Sequence, residues 1–258
     1  MKKDIIQVRD LKIGEGRTKI CIPLMPECFQ DLPQALEALS EIPYDLVEWR
    51  ADYYKDAEDE KSCREAIRMI RSAIGNKPLL FTYRTRAEGG LGSDDPAVYR
   101  SMVFRAVQSG EADLIDLEYG FLKGKEQHDT IDLLHRENAA VIGSGHMFDR
   151  TPHVEEMVRI LCDLQNAGAD ITKLAVMPKT RTDVLRLMEA AVLMEETFGD
   201  RPCITISMGG YGVLSRIGGY LTGNALTFAA GTASSAPGQL SAVETDGIVR
   251  ILEPDMTE

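Results

Sequence analysis

Val-Glu-Glu-Met-Val-Arg-Ile-Leu-Cys-Asp-Leu-Gln-Asn-Ala-Gly-Ala-Asp-Ile-Thr-Lys-Leu-Ala-Val-Met-Pro, residues 154–178, contains one full passage from helix to strand. Positions 154, 157, 158, 161 and 164 are apolar, the i, i+3, i+4, i+7 spacing of a helix that buries one face, and Gly168 supplies a stop. The short apolar run that follows, bounded by Pro178, has the length and composition of a buried strand.

The same alternation runs through the chain. Apolar runs at 20–25, 44–49, 79–83, 114–117, 139–142, 174–177, 203–208 and 225–229 start about 22 to 35 residues apart, the length of one βα unit with its loops. Stretches 34–39, 63–74, 97–107, 154–164 and 182–197 carry helical spacing between them. Asp94-Asp95-Pro96 and Thr180-Arg181-Thr182-Asp183 mark helix starts, and Gly110, like Gly168, marks a stop. Eight strands in 258 residues with no linker predict one α/β domain over residues 1–258, an eight-stranded parallel (β/α)8 TIM barrel. Residues 5–9 and 11–14 predict an N-terminal β-hairpin closing its bottom. A doubly wound open sheet is the competing fold, but no Gly-x-Gly-x-x-Gly follows the first strand.

With 29 basic and 41 acidic residues the net charge is −12, which speaks against general binding to nucleic acid or to a membrane surface and for a small-molecule partner. Cys21, Cys28, Cys63, Cys162 and Cys203 show no Cys-x-x-Cys spacing, the pattern of reduced thiols, several of them small core residues. The start Met-Lys-Lys-Asp-Ile-Ile has no apolar signal-peptide region, and no window reaches transmembrane length, so a cytoplasmic protein is expected.

Lys173 sits inside the quoted strand. Burying an ammonium without a partner costs roughly several kcal/mol, so such a lysine pairs, reaches solvent along its stem, or gives up its proton and becomes a nucleophile toward ketones. Imine chemistry of that kind needs no bound cofactor, and none is expected.

A barrel carries its chemistry at the C-terminal strand ends, and residues two apart on a strand share a face. Glu48 and Arg50 end the second strand, Arg84 the third, Asp116 and Glu118 the fourth, and Ser144 and His146 the fifth, with Lys173 on the sixth. Any one of these has an ordinary explanation, such as an ion pair of Glu48 with Arg50. Together they predict a highly polar ligand bearing hydroxyls and a carboxylate. His128 and His135 fall on a helix and His153 at a helix start, which leaves His146 as the acid/base candidate beside Lys173. Glu88, before Gly89-Gly90, is a loop carboxylate that could hold its tautomer. Glycine-rich stretches 207–216 and 231–239 predict loops after strands seven and eight, the second a lid. Arg216 offers a fork for a carboxylate, and a phosphate ligand stays open at this point.

These residues resemble the type I 3-dehydroquinate dehydratase family nearly end to end. The resemblance is carried by Leu-Val-Glu-Trp-Arg-Ala-Asp (46–52), Leu-Leu-Phe-Thr-Tyr-Arg (79–84) with Glu88-Gly89-Gly90, Asp116-Leu117-Glu118, His146 with Thr151-Pro152, residues 168–178, Gly-Val-Leu-Ser-Arg (212–216) and Ser-Ala-Pro-Gly-Gln (235–239). The resemblance implies dehydration of 3-dehydroquinate to 3-dehydroshikimate in the shikimate pathway, through an imine on Lys173. It gives His146 the role of acid and base and Glu88 that of orienting it. It also implies contacts from Glu48, Arg50 and Arg84 to substrate hydroxyls, a carboxylate end held by Arg216, Ser235 and Gln239, and a homodimer. The chain departs from the family pattern at Pro23, Asp149, Gly209-Gly210 and Ala233-Ser234, all outside the covalent chemistry. A lysine-dependent aldolase would share the imine but need a carbon–carbon bond to cleave, and a non-catalytic acid-binding barrel would have no use for the lysine.

Overall fold

The structure, a computed structural model, describes residues 4–121, 125–231 and 236–253. Two short strands, β1 (Ile6–Val8) and β2 (Leu11–Ile13), pair antiparallel as the expected hairpin. Eight parallel strands follow: β3 (Lys19–Leu24), β4 (Leu46–Arg50), β5 (Leu79–Thr82), β6 (Leu114–Glu118), β7 (Ala140–Met147), β8 (Ile171–Val176), β9 (Cys203–Ser207) and β10 (Leu226–Phe228). Their order, β10-β3-β4-β5-β6-β7-β8-β9, is that of a barrel opened only at the β9–β10 seam.

That seam is closed by a side chain. Asn224, ahead of β10, accepts a hydrogen bond from Thr205 N (2.8 Å) and donates one to Thr205 O (3.3 Å), while Ala225 N donates to Cys203 O (2.9 Å). A carboxamide thus supplies the donor and acceptor that a neighbouring residue of backbone would supply.

Helices α1 (Leu32–Glu37), α2 (Glu60–Ile74), α3 (Pro96–Gln108), α4 (Lys125–Arg136), α5 (Val154–Asn166), α6 (Arg181–Leu193), α7 (Val213–Ile217), α8 (Gly219–Thr222) and α9 (Ala242–Leu252) accompany the strands. The expected starts hold: Asp95 caps α3 by accepting from Ala97 N, and Thr180 and Asp183 form a capping box on α6. Gly110 and Gly168 follow α3 and α5 with φ of 70° and 100°, left-handed conformations that favour glycine.

Strand β7 continues past the apolar run at 139–142 and carries Ser144 and His146 toward its end, where the sequence reading placed them. The structure differs from the sequence reading in two elements. The helix expected over 182–197 ends at Leu193 and closes in a π turn, Met194–Phe198, where Gly199 N bonds Met194 O at 2.8 Å. The stretch expected as a loop after strand seven carries the helical turn α7, which holds Arg216.

Period-two alternation fills the barrel in tiers. Cys21, Leu46, Leu80, Leu114, Ile142, Ile171, Ile204 and Leu226 form an apolar floor with Val8 and Ile13 of the hairpin packed in the same cluster. Each such buried side chain contributes about 1.5–3 kcal/mol. One step up, five of the strands turn polar inside the barrel, with Glu48, Thr82, Asp116, Ser144 and Lys173. Arg50, Arg84, Glu118 and His146 follow one further step toward the mouth. The outward faces, Ile20, Ile22, Val47, Trp49, Phe81, Leu117, Val141, Leu174 and Val176 among them, meet the helices in a second core.

Candidate active site

Lys173 lies on β8 with its side chain about 5% exposed, and its Nζ donates to Asp116 Oδ2 at 3.0 Å over the ring of Phe228. Asp116 is itself triply held: Arg84 Nη2 lies 2.7 Å from Oδ1, and Ser144 Oγ donates to Oδ1 at 2.6 Å. Burial would raise this carboxyl, but the Arg84 and Lys173 cations outweigh it and hold Asp116 well below the usual carboxylate range.

Arg84 is the hub of the polar tier. Its Nη1 reaches Glu118 Oε1 at 3.0 Å, Ser144 Oγ at 3.2 Å and Glu88 Oε2 at 3.4 Å. Burial opposes its charge, and the surrounding carboxylates reverse that and raise it well above its usual value. Glu118 is fixed from the other side by Thr85, which donates from N (2.8 Å) and Oγ1 (2.7 Å).

Glu88 returns from the loop after β5 to place Oε2 2.9 Å from His146 Nδ1. Burial pushes Glu88 up to about 8, and burial with the Arg84 and Lys173 cations drives His146 well below the usual histidine value. Both groups therefore favour their neutral forms. With the proton bound, the carboxyl donates to Nδ1 and Nε2 keeps its hydrogen; with it removed, Nδ1–H donates to a carboxylate and Nε2 is a bare base. The dyad takes up and releases one proton as a unit near pH 8, which suits proton transfer at Nε2.

Glu48 accepts from Thr82 Oγ1 at 2.8 Å. Its expected pairing with Arg50 does not form: Arg50 Nε and Nη2 instead meet Asp52 Oδ1 and Oδ2, both at 2.8 Å. Alternation along the strand pointed to Glu48, but Asp52 lies beyond the strand end in a 3-10 turn, Ala51–Tyr53, where that alternation no longer applies.

Arg216, on α7, is buried, and its Nη2 donates to Pro237 O at 3.2 Å. Its Nε has no hydrogen-bond partner among the described residues, and burial lowers this guanidinium to about 10. A buried cation in this condition fits an incoming carboxylate. Ser215 holds α7 to the barrel by accepting from Ser207 N (2.9 Å) and donating to Gly212 O (2.7 Å).

A cavity of about 200 Å3 joins these groups; Glu48, Arg50, Arg84, Glu88, His146, Lys173, Arg216 and Gln239 all line it. Eight of the nine site residues expected from sequence thus surround one space, and the ninth, Ser235, lies outside the described residues with Ala233 and Ser234. Sequence reasoning missed the apolar wall of Phe148, Ile206, Met208 and Phe228: alternation along β9 and β10 was the only signal for Ile206 and Phe228, and Phe148 and Met208 lie just past the ends of β7 and β9. His128 and His135 lie on α4 and His153 precedes α5 without a side-chain cap, all three away from the cavity lining. No group of three or more metal-binding side chains occurs among the described residues, and no described helix is long and apolar enough to cross a membrane.

Comparison with known proteins gives a consistent picture. A family model described as type I 3-dehydroquinase matches residues 20–256. A 3-dehydroquinate dehydratase of Bacillus licheniformis is 41% identical over 254 residues, 98% of this chain and 100% of that protein. Its counterpart in Salmonella paratyphi B is 43% identical over 247 residues, 96% of this chain and 98% of the relative. Among solved structures, the type I 3-dehydroquinate dehydratase of Clostridium difficile, described with covalent modified comenic acid, superposes with a TM-score of 0.92 at 40% identity, covering 97% of this chain and 98% of that one. The 3-dehydroquinate dehydratase of Geobacillus kaustophilus gives a TM-score of 0.93 at 32% identity, covering 100% and 99%.

Proposed function

The chain belongs to the type I 3-dehydroquinase family and is a 3-dehydroquinate dehydratase, a hydro-lyase, and from that premise we propose a Schiff-base mechanism centred on Lys173. The observation that carries it is a lysine buried at the base of the cavity, one strand away from a histidine whose proton is managed by a buried carboxyl.

In this mechanism Lys173 gives up its ammonium proton within the site and its Nζ attacks the substrate ketone as the free amine; that proton returns to the carbonyl oxygen, which leaves as water to give an iminium. His146 Nε2 removes a proton from the adjacent carbon, and the electron pair left behind forms a carbon–carbon double bond as the C=N π pair moves onto nitrogen, giving an enamine. The enamine expels the neighbouring hydroxyl, which takes the proton from Nε2 and departs as a second water. Hydrolysis of the conjugated iminium consumes one water and frees Lys173 and 3-dehydroshikimate.

Glu88 orients His146, while Glu48, Arg50 and Arg84 receive the hydroxyls. Arg216, with Gln239 and Ser235, receives the carboxylate; the unpartnered Nε of Arg216 supports that assignment. The proposal places one catalytic domain over residues 1–258, a homodimer, in the cytoplasm on the shikimate pathway.

Borohydride added with 3-dehydroquinate is expected to trap the substrate on Lys173, seen as a mass adduct on the peptide that contains it. An active preparation with no adduct on that peptide would falsify the imine.

A further inference from the structure

Asp52 lines no part of the cavity, yet its side chain is fully buried and its oxygens receive three hydrogen bonds. Arg50 donates from Nε to Oδ1 and from Nη2 to Oδ2, and Leu91 N donates to Oδ2 at 3.1 Å. Arg50 is also held by its face, 4.9 Å from the ring centroid of Tyr53. Edge and face together leave the guanidinium little freedom where it lines the cavity.

The third bond reaches the other half of the site. Leu91 lies three residues after Glu88 in a loop closed on itself by Gly90 N to Thr85 O (2.7 Å), Gly92 N to Arg84 O (2.9 Å) and Arg86 N to Gly92 O (3.2 Å). Leu91 itself is 59% exposed, so the backbone N–H, not an apolar anchor, fastens this point of the loop inward. Any shift of Asp52 is felt both at Arg50 and along the segment that sets Glu88 against His146.

We propose that Asp52 is a positioning residue that ties the substrate-binding guanidinium of Arg50 and the loop of Glu88 to one carboxylate, so that ligand contact and the acid/base dyad are held in a common geometry. This rests on the Schiff-base reading of the site. Only a carboxylate meets the demand: an arginine edge and a backbone N–H need three acceptor positions on two oxygens, and an asparagine would turn an N–H toward the guanidinium.

Asp52→Asn and Asp52→Glu in the full chain test the assignment through kcat, KM and the pH dependence of kcat/KM. For Asp52→Asn the expected result is a KM for 3-dehydroquinate raised roughly 10- to 100-fold, the scale of hydrogen bonds to a charged group. The pH at which kcat/KM rises is expected to fall, because a loosened loop admits water to Glu88 and relieves the burial that raises it. Asp52→Glu, which keeps the charge but displaces it by one methylene, should recover part of both effects. A purely structural role would lower the melting temperature and leave both readouts unmoved. Either folded variant with wild-type KM and wild-type pH dependence overturns the proposal, and Asp52→Glu answers the question if Asp52→Asn does not fold. Loss of turnover and of the borohydride adduct in the unaltered chain would instead sink the parent mechanism.

Discussion

His146 faces two requirements at once: it must be a base toward carbon and an acid toward a departing hydroxyl. Alone and buried beside Arg84 and Lys173 it would be a poor acid/base group, since its proton is driven off well below neutral pH. Glu88 supplies what is missing by storing the proton 2.9 Å away. For His146→Ala the expected outcome is turnover reduced by about two to four orders of magnitude with the borohydride adduct on Lys173 still forming. Near-normal turnover would refute its role. Lys173 and His146 were legible in the sequence because each is a polar group out of place on an apolar strand. Asp116 and Glu118 were legible as charges at a strand end but their partners were not, and Asp52 was missed, because counting charges at strand ends balances the total without saying which carboxylate faces which cation. That choice is made by register and by the turn after β4.

At the scale of elements, eight strands were readable from apolar runs, and the fifth run ends at 142 although its strand continues to Met147. Gly143 is the reason: a Cβ there would meet Ala169 Cβ at 2.8 Å and Leu164 Cδ2 at 3.0 Å, so close packing of β7 beneath the end of α5 excludes the side chain that would have extended the run. The β9–β10 seam was invisible for another reason, since it depends on a polar side chain in place of a strand residue. Asn224→Ala leaves the buried N–H and C=O of Thr205 without partners on that side. The expected cost is about 2–4 kcal/mol, read as a lower urea midpoint. A midpoint unchanged from wild type would show that the seam is held by Ala225 and the floor alone.

The whole molecule should report the dyad in its stability. An unfolded chain has Glu near 4.3 and His near 6.5, so between those values Glu88 and His146 hold one proton in both states, in the native state on Glu88. Between about 6.5 and 8 the native pair keeps that proton and the unfolded chain does not. The native state binds more protons there, so its stability falls as pH rises, by about 2 kcal/mol across the window. Urea unfolding at the two ends of that range measures it, and Glu88→Gln should flatten the slope. A wild-type stability that is level or rising across the window contradicts the proton inventory. The apolar floor carries a consequence of a different kind. Because Val8 and Ile13 sit under the ring of leucines and isoleucines, the barrel is a cup and not a tube. Substrate, product and every water exchanged in the proposed cycle share one rim. Traffic is single-file, and a product still in place excludes the next substrate as completely as any inhibitor would.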